Sequence, residues 1–260
     1  RFDFVRERLG VDADGLLDLE SPPVVEERRV GSPFDFARQT VLAVPRDLPR
    51  AGQGADFNRA TADVVESFAA TTRGGLFVLF TSYRALQSVA RLLRERGVDR
   101  RWPLFVHGEA DRGRLLHDFV QHGDGLLLGT ASFWEGVDVP GDPLRGLVIQ
   151  KLPFRVPTEP VVAARIEALE ARGANAFWSY MLPLAALRLK QGFGRLIRSQ
   201  ADRGAVVLLD DRVLTRRYGR YLIDSLPDAP LIEGPWAHVH ARLRDFYLAP
   251  EPGAEGIILT

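Results

Sequence analysis

Short apolar runs alternate with longer amphipathic stretches along most of the 260-residue chain. Five runs that are rich in Val, Leu and Phe predict buried strands at 75–82, 104–107, 125–130, 146–152 and 205–210. The amphipathic stretches predict helices at 57–72, 84–96, 111–122, 160–172 and 174–191. Two weaker runs, at 24–30 and 40–44, are further strand candidates. Because strands that alternate with helices form βαβ units, we expect an α/β fold, with a mostly parallel sheet and helices on both faces.

The length of the chain allows one large α/β domain or two small ones. A hydrophobic fraction of 46% and a charged fraction of 26% are typical of a globular protein. No apolar run approaches the roughly 20 residues that span a bilayer, so we expect no membrane partner. The chain begins at Arg1, without an initiator Met or an apolar signal core, which predicts a fragment or a trimmed chain.

The charges of the chain balance, with 34 basic and 34 acidic residues. A broad basic footprint for nucleic acid is therefore missing at the level of the whole chain. There is no Cys, which excludes disulfides, thiolate catalysis and Cys-ligated zinc or iron–sulfur sites within these residues. The five histidines have no acidic ligand pattern beside them, so we expect no metal site.

Gln191, Arg195 and Arg198 follow one another at spacings of four and three. If this segment is helical, the three side chains lie on nearly one face. Two converging guanidiniums repel each other unless an anion lies between them, and their planar forks suit phosphate oxygens. The spacing thus indicates a polyphosphate contact. A solvated arginine face paired with nearby acids is the alternative.

Polar residues follow the predicted strands at 81–83, 129–138 and 210–212. In parallel sheets, ligands bind at the carboxyl ends of the strands, so chemistry is expected in these segments. Thr130 and Ser132 could donate to phosphate oxygens, helped by backbone N–H groups at the strand end.

The rest of 129–138 leaves two interpretations open. Phe133 and Trp134 could stack on unpaired bases, or they are plain core residues. Glu135 and Asp138 could accept from a ribose hydroxyl or hold a water on a magnesium ion, whereas Gly136 serves the turn.

Four blocks of the sequence resemble a known family and occur in that family's order: FTSYRAL (80–86), GTASFWEGVDVPG (129–141), KLPFRVPTEP (151–160) and LKQGFGRLIRS (189–199). They resemble the C-terminal RecA-like domain of DinG-type helicases, the bacterial relatives of the XPD group in helicase superfamily 2. The resemblance runs from about 31 to 227. It implies a RecA-like second helicase domain over 1–260, with a core at about 31–228 and a C-terminal helix and tail at 229–260.

The resemblance also implies roles for individual residues. Arg198 and Arg195 would be catalytic arginines that reach the γ-phosphate of ATP, and Arg198 is the better arginine finger candidate. Gln191 would hydrogen-bond near the γ-phosphate or the attacking water. The implied ATP-binding set is Glu135, Gly136, Asp138, Gln191, Arg195 and Arg198. The implied DNA-binding set is Thr81, Ser82, Tyr83, Thr130, Ser132, Phe133 and Trp134.

The chain departs from the full-length family pattern, because it contains neither G-x-x-x-x-G-K-[ST] nor a D-E-A-H carboxylate pair. In the family both lie in the first RecA-like domain, as do the four cysteines that hold an iron–sulfur cluster in many members. The resemblance therefore implies that ATP and Mg²⁺ are held mainly by a first domain outside this chain. It implies no iron–sulfur cluster here.

By resemblance, the full-length protein is an ATP-dependent DNA helicase that moves 5′ to 3′ on single-stranded DNA in repair or replication. This chain alone would be inactive. Its partners would be single-stranded DNA and the N-terminal RecA-like domain of the same protein, in a monomer located in the bacterial cytoplasm with the nucleoid. Two other classes remain open: a non-catalytic single-stranded nucleic-acid-binding module, and an arginine-donating activator of a separate ATPase.

Overall fold

The strands form one sheet, and every pair of hydrogen-bonded neighbours in it runs parallel. The computed structural model describes residues 5, 6, 9, 26–28, 30–130, 133 and 144–249. Within this part of the chain the strands are β1 (Thr40–Pro45), β2 (Leu76–Leu79), β3 (Leu104–Val106), β4 (Leu126–Gly129), β5 (Gly146–Ile149), β6 (Gly204–Leu208) and β7 (Leu231–Gly234). Their spatial order is β3-β4-β2-β5-β6-β1-β7.

From Phe36 onward, the helices of the described residues are α1 (Phe36–Gln39), α2 (Gly54–Thr72), α3 (Tyr83–Glu95), α4 (Arg112–His122), α5 (Pro160–Ala171), α6 (Leu182–Phe193), α7 (Arg212–Thr215), α8 (Gly219–Asp224) and α9 (Trp236–Leu248). A 3₁₀ turn covers Val98–Arg100, and a π-helical turn covers Phe177–Met181. None of these helices has the length and apolar character that a membrane span requires.

The sheet is covered on both faces, which explains the continuous apolar runs in the sequence. Val41 and Ala43 of β1 lie in a core with residues of α2, α3 and α9, among them Phe68 of α2. The alternate residues of β1, such as Leu42, are also buried, at 3% exposure. The predicted α/β fold with a parallel, two-sided sheet is therefore confirmed.

By internal contacts the chain divides into two units. The larger unit contains the sheet and comprises the described residues of 34–154 and of 185–249. The smaller unit comprises 155–184 and the described residues before Phe34. In the smaller unit, Val162 packs with Tyr180 and Met181 in a small core of its own.

Most predicted elements are present, two of them differ, and one strand was not predicted. The helix predicted at 174–191 starts as the π-helical turn and continues as α6. The strand candidate at 24–30 is wrong for its described residues, 26–28 and 30, which have no regular structure. Strand β7 was not predicted, because its four residues alternate between exposed and half-buried at the edge of the sheet.

The turn between α2 and β2 depends on a glycine. Arg73 caps α2 in the left-handed conformation, and Gly74 follows with φ +79°. A Cβ at Gly74 would lie 1.8 Å from the Asp124 carbonyl oxygen, so no larger residue fits there. This close approach lets β2 enter the sheet directly after the helix.

Candidate functional site

All seven described strands point the same way, so the residues that follow them meet at one edge of the sheet, here called the carboxyl edge. The residues that follow are Thr81–Tyr83 after β2, His107 after β3, Thr130 after β4, Lys151 after β5 and Asp210 after β6. In parallel sheets this edge is the usual place for a ligand.

The segment Thr81–Tyr83 is exposed at this edge. The Ser82 hydroxyl oxygen accepts a hydrogen bond from the Ala85 backbone N–H at 3.3 Å and so caps α3. Its O–H remains a donor. Tyr83 is 47% exposed, which is a large fraction for an aromatic residue. The structure therefore presents two hydroxyls and one aromatic ring together.

Thr130 belongs to a second group at the same edge. Its Oγ1 lies 2.8 Å from His107 Nδ1, and Thr130 itself is only 7% exposed. The His107 ring lies between two aromatic rings, 4.8 Å from that of Tyr83 and 4.6 Å from that of Phe133. Burial, and then the nearby Arg112 guanidinium, lower the pKa of His107. Thr130 and Tyr83 are therefore linked through the His107 imidazole.

His107 was missed as a member of this group by sequence reasoning. Its only signal was its position directly after the LFV strand, in the same place relative to β3 as Thr130 relative to β4. In the sheet, β3 and β4 are neighbours, which brings the two side chains together.

Phe133 does not offer its ring to a ligand. It is completely buried, and its ring lies 6.1 Å from that of Phe77. A Cβ at Gly129 would come within 2.9 Å of Phe133, so the glycine makes room for it. A buried ring has no free face for a base. The structure therefore supports the interpretation of Phe133 as a core residue. The prediction that Phe133 stacks on a base is wrong.

Several predicted site residues lie outside the described residues and stay predictions. They are Ser132, Trp134, Glu135, Gly136 and Asp138.

The condition for placing Gln191, Arg195 and Arg198 on one helical face, namely a helix that continues to 198, is not met. Gln191 lies in the last turn of α6, which ends at Phe193. The next bonds close tighter turns, with Arg195 N donating to the Gly192 oxygen at 3.2 Å. Leu196 N likewise donates to the Phe193 oxygen at 3.2 Å, three residues back rather than four. The three predicted side chains therefore share a helix end and the turn after it, not one helical face.

The backbone of the Arg198 segment is held by a carboxylate. Asp202 Oδ2 accepts from the backbone N–H groups of Arg198 and Ser199 at 2.6 and 2.8 Å. The buried amide of Gln39 donates to the carbonyl oxygens of Ser199 and Asp202 at 2.9 and 2.8 Å. These four hydrogen bonds hold the loop in place. Sequence reasoning missed both Asp202 and Gln39.

The segment that contains Arg195 and Arg198, here called the arginine segment, lies at the amino ends of the strands. The Thr81–Tyr83 segment lies at their carboxyl ends. Asp202 precedes the first residue of β6, and Gln39 precedes the first residue of β1. Thr81 and Thr130 instead follow the ends of β2 and β4. Within the described residues, the structure thus separates the segment that contains Arg195 and Arg198 from the predicted DNA contacts Thr81 and Thr130.

At the end of β6, Asp210 organises the carboxyl edge. Its buried carboxylate accepts from Arg212 Nε at 2.8 Å and Arg212 Nη2 at 2.6 Å, and also from the Leu152 backbone N–H at 3.0 Å. The bidentate hydrogen bond to Asp210 raises the pKa of Arg212. Asp210 thereby ties the segment after β6 to the segment after β5.

Within the described part of the chain, no group of three or more His, Cys, Asp or Glu side chains is placed to hold a metal ion.

Comparison with known protein families identifies the family of this chain. The model of the helicase C-terminal domain family matches residues 65–229. The chain belongs to this family. It is similar to the ATP-dependent DNA helicase YoaA of Escherichia coli, at 42% identity over 76% of this chain and 31% of that protein. It is also similar to the ATP-dependent DNA helicase DinG of Photobacterium profundum, at 41% identity over 76% of this chain and 29% of that protein.

The chain spans about a third of the length of these curated relatives. Among solved structures it is similar to an XPD helicase, with a TM-score of 0.57 and 18% identity over 75% of this chain and 35% of that one. At this identity the likeness concerns the fold. The expected RecA-like fold and the resemblance to the C-terminal domain of DinG-type helicases are both confirmed.

Proposed function

We propose that this chain, over 1–260 with a core at about 31–228, is the second motor domain of an ATP-dependent DNA helicase. The full-length protein translocates 5′ to 3′ on single-stranded DNA and serves DNA repair or replication. It acts as a monomer in the bacterial cytoplasm, at the nucleoid. Membership of the helicase C-terminal domain family supports the motor role.

The observation that carries the proposal is the fixed arginine segment in a chain without a phosphate-binding loop. Arg195 and Arg198 follow the end of α6, and Asp202 holds the backbone of Arg198. The sequence contains no G-x-x-x-x-G-K-[ST]. Arginines arranged in this way suit a nucleotide that another domain holds.

The guanidiniums of Arg195 and Arg198 fit the phosphate oxygens of ATP, because each offers a planar fork of donors and a permanent charge. Mg²⁺, when bound with ATP, neutralises charge on the phosphates. In our proposal the first domain holds both ligands. Arg198 then contacts the γ-phosphate, Arg195 supports it, and Gln191 donates or accepts near the attacking water. Because Asp202 and Gln39 fix the loop, little reorganisation is needed when the domains close.

The carboxyl edge is our proposed surface for single-stranded DNA. The exposed hydroxyls of Thr81 and Ser82 donate to phosphodiester oxygens, and the Tyr83 ring offers an aromatic face to a base. Thr130 is hydrogen-bonded to His107, and the His107 ring contacts the Tyr83 ring. In this way Thr130 helps to position Tyr83. Contacts of this kind recognise no sequence, so binding should be tolerant of sequence and sensitive to salt.

Replacing Tyr83 by alanine tests this surface. We expect the affinity of the full-length protein for a single-stranded oligonucleotide to fall about tenfold, because base–aromatic stacking contributes about 1–3 kcal/mol per base. Fluorescence anisotropy with a labelled oligonucleotide measures the change.

Tyr83→Phe is the matched control, since it keeps the ring and removes the hydroxyl. The phenylalanine variant should bind within about twofold of wild type if stacking is the contact. Equal losses in both variants would point to the hydroxyl, and wild-type binding by Tyr83→Ala would remove Tyr83 from the surface.

An unwinding assay tests the proposed activity as a whole. With ATP and Mg²⁺, the full-length protein should displace a strand from a duplex that carries a 5′ single-stranded tail. It should leave a duplex with a 3′ tail intact. Unwinding only from the 3′ tail would contradict the polarity. Single-strand binding without any ATP hydrolysis would favour a non-catalytic binding module instead.

A further inference from the structure

A second feature of the carboxyl edge is a cleft of about 700 Å³, which we call the basic cleft. It lies among the segments that follow β1, β5 and β6. Four cationic side chains line it, from Arg50, Lys151, Arg212 and Arg216, and Asp211 adds a carboxylate. All of these residues belong to the larger unit of the chain.

The charges of the basic cleft are only partly balanced by the protein. Arg212 is bound by the buried Asp210 carboxylate. Arg50, Lys151 and Arg216, by contrast, form no ion pair within the part of the chain that the structure describes. The Lys151 ammonium lies 5.7 Å from the ring centroid of Phe57. This cation–π contact positions the ammonium but does not balance its charge.

This local excess of positive charge contrasts with the zero net charge of the whole chain. Like charges that line one cleft repel each other, and an anion between them relieves the repulsion. Guanidinium and ammonium donors together suit phosphate oxygens.

The basic cleft continues the proposed DNA surface. Strands β2 and β5 are hydrogen-bonded neighbours, with Leu79 opposite Ile149. Thr81 and Lys151 therefore follow the ends of adjacent strands, which lie about 4.8 Å apart. A strand of DNA that crosses Thr81 would pass directly to Lys151 and then to the segment after β6.

We infer that the basic cleft binds the backbone phosphates of single-stranded DNA, with Lys151 and Arg216 as contacts and Arg212 as a cation positioned by Asp210. The inference rests on the proposed function and extends its DNA surface from the ends of β2 and β4 to those of β5, β6 and β1. A nucleotide phosphate is the other source of the same chemistry, and the experiment separates the two.

The test is the double variant Lys151→Gln and Arg216→Gln in the full-length protein. We expect about tenfold weaker binding of a single-stranded oligonucleotide, since each exposed contact contributes modestly. The plot of log affinity against log salt should lose about 1.4 of its slope, because each phosphate contact on a single strand contributes about 0.7. The affinity for ATP should stay at the wild-type value.

The charge-matched control is Arg91→Gln with Arg242→Gln, two exposed arginines on α3 and α9. It removes the same charge and should keep both affinity and slope. Unchanged DNA binding and slope in Lys151→Gln/Arg216→Gln would overturn the inference, and so would a loss confined to ATP. If the wild-type protein itself fails to bind single-stranded DNA, the proposed function fails as well, so the two failures are distinguishable.

Discussion

Replacing Arg198 by alanine in the full-length protein is expected to lower single-strand-stimulated ATP turnover by at least roughly 10³-fold, the usual scale for loss of an arginine finger. The reason is that phosphoryl transfer depends on neutralising charge that develops in the transition state, and Arg198 is the proposed source of that charge. Binding of single-stranded DNA should remain close to wild type, since the DNA surface lies at the opposite edge of the sheet. Steady-state ATPase and anisotropy measurements give the two values.

Two further variants sharpen this result. Arg198→Lys keeps a positive charge without the planar fork, so it should recover only a small part of the turnover. Arg91→Ala removes an exposed arginine that pairs with Glu95 on α3, and it should leave turnover unchanged. Turnover at the wild-type level in Arg198→Ala would refute the assigned role. A parallel loss of DNA binding would indicate a folding defect instead.

The fold could be predicted from the sequence because buried parallel strands have continuous apolar sequences. The FVL and LLL runs of β2 and β4 are fully buried, as expected for strands in the middle of a covered sheet. Strand β7 has no such run, since an edge strand is half-exposed and four residues long. The end of α6 at Phe193 lies two residues beyond the end of the predicted helix at 191, whereas the π-helical turn at its start was not predicted.

Positions in the candidate site could be predicted, but their contacts could not. Thr81 and Thr130 follow strands, and this alone placed them at the carboxyl edge. The contribution of Gln39 to holding the Arg198 segment could not be predicted, because Gln39 and Ser199 are 160 residues apart in the chain. The role of Phe133 stayed undecided for a similar reason. A local pattern gives the type of an aromatic residue, whereas its burial depends on neighbours from other strands.

Asp210→Ala is expected to lower the free energy of unfolding of this chain by about 3 kcal/mol, the lower end of the range for breaking a buried ion pair. The lower end applies because Arg212 keeps partial access to water, with 38% of its side chain exposed, whereas that of Asp210 is fully buried. The variant leaves the guanidinium without its carboxylate and the Leu152 N–H without its acceptor. Urea unfolding followed by circular dichroism measures the loss.

The neighbouring Asp211 provides the matched control, because it is half-buried and forms no ion pair within the described residues. Asp211→Ala should change stability by no more than about 0.5 kcal/mol. Adding Arg212→Met to Asp210→Ala should restore part of the loss, since the uncompensated cation is then gone. If Asp210→Ala were as stable as Asp211→Ala, the carboxylate would not be what joins the segments after β5 and β6. In that case Asp210 would not fix Arg212 at the side of the basic cleft. The stability measurement therefore also tests whether Arg212 is held in position to contact a phosphate.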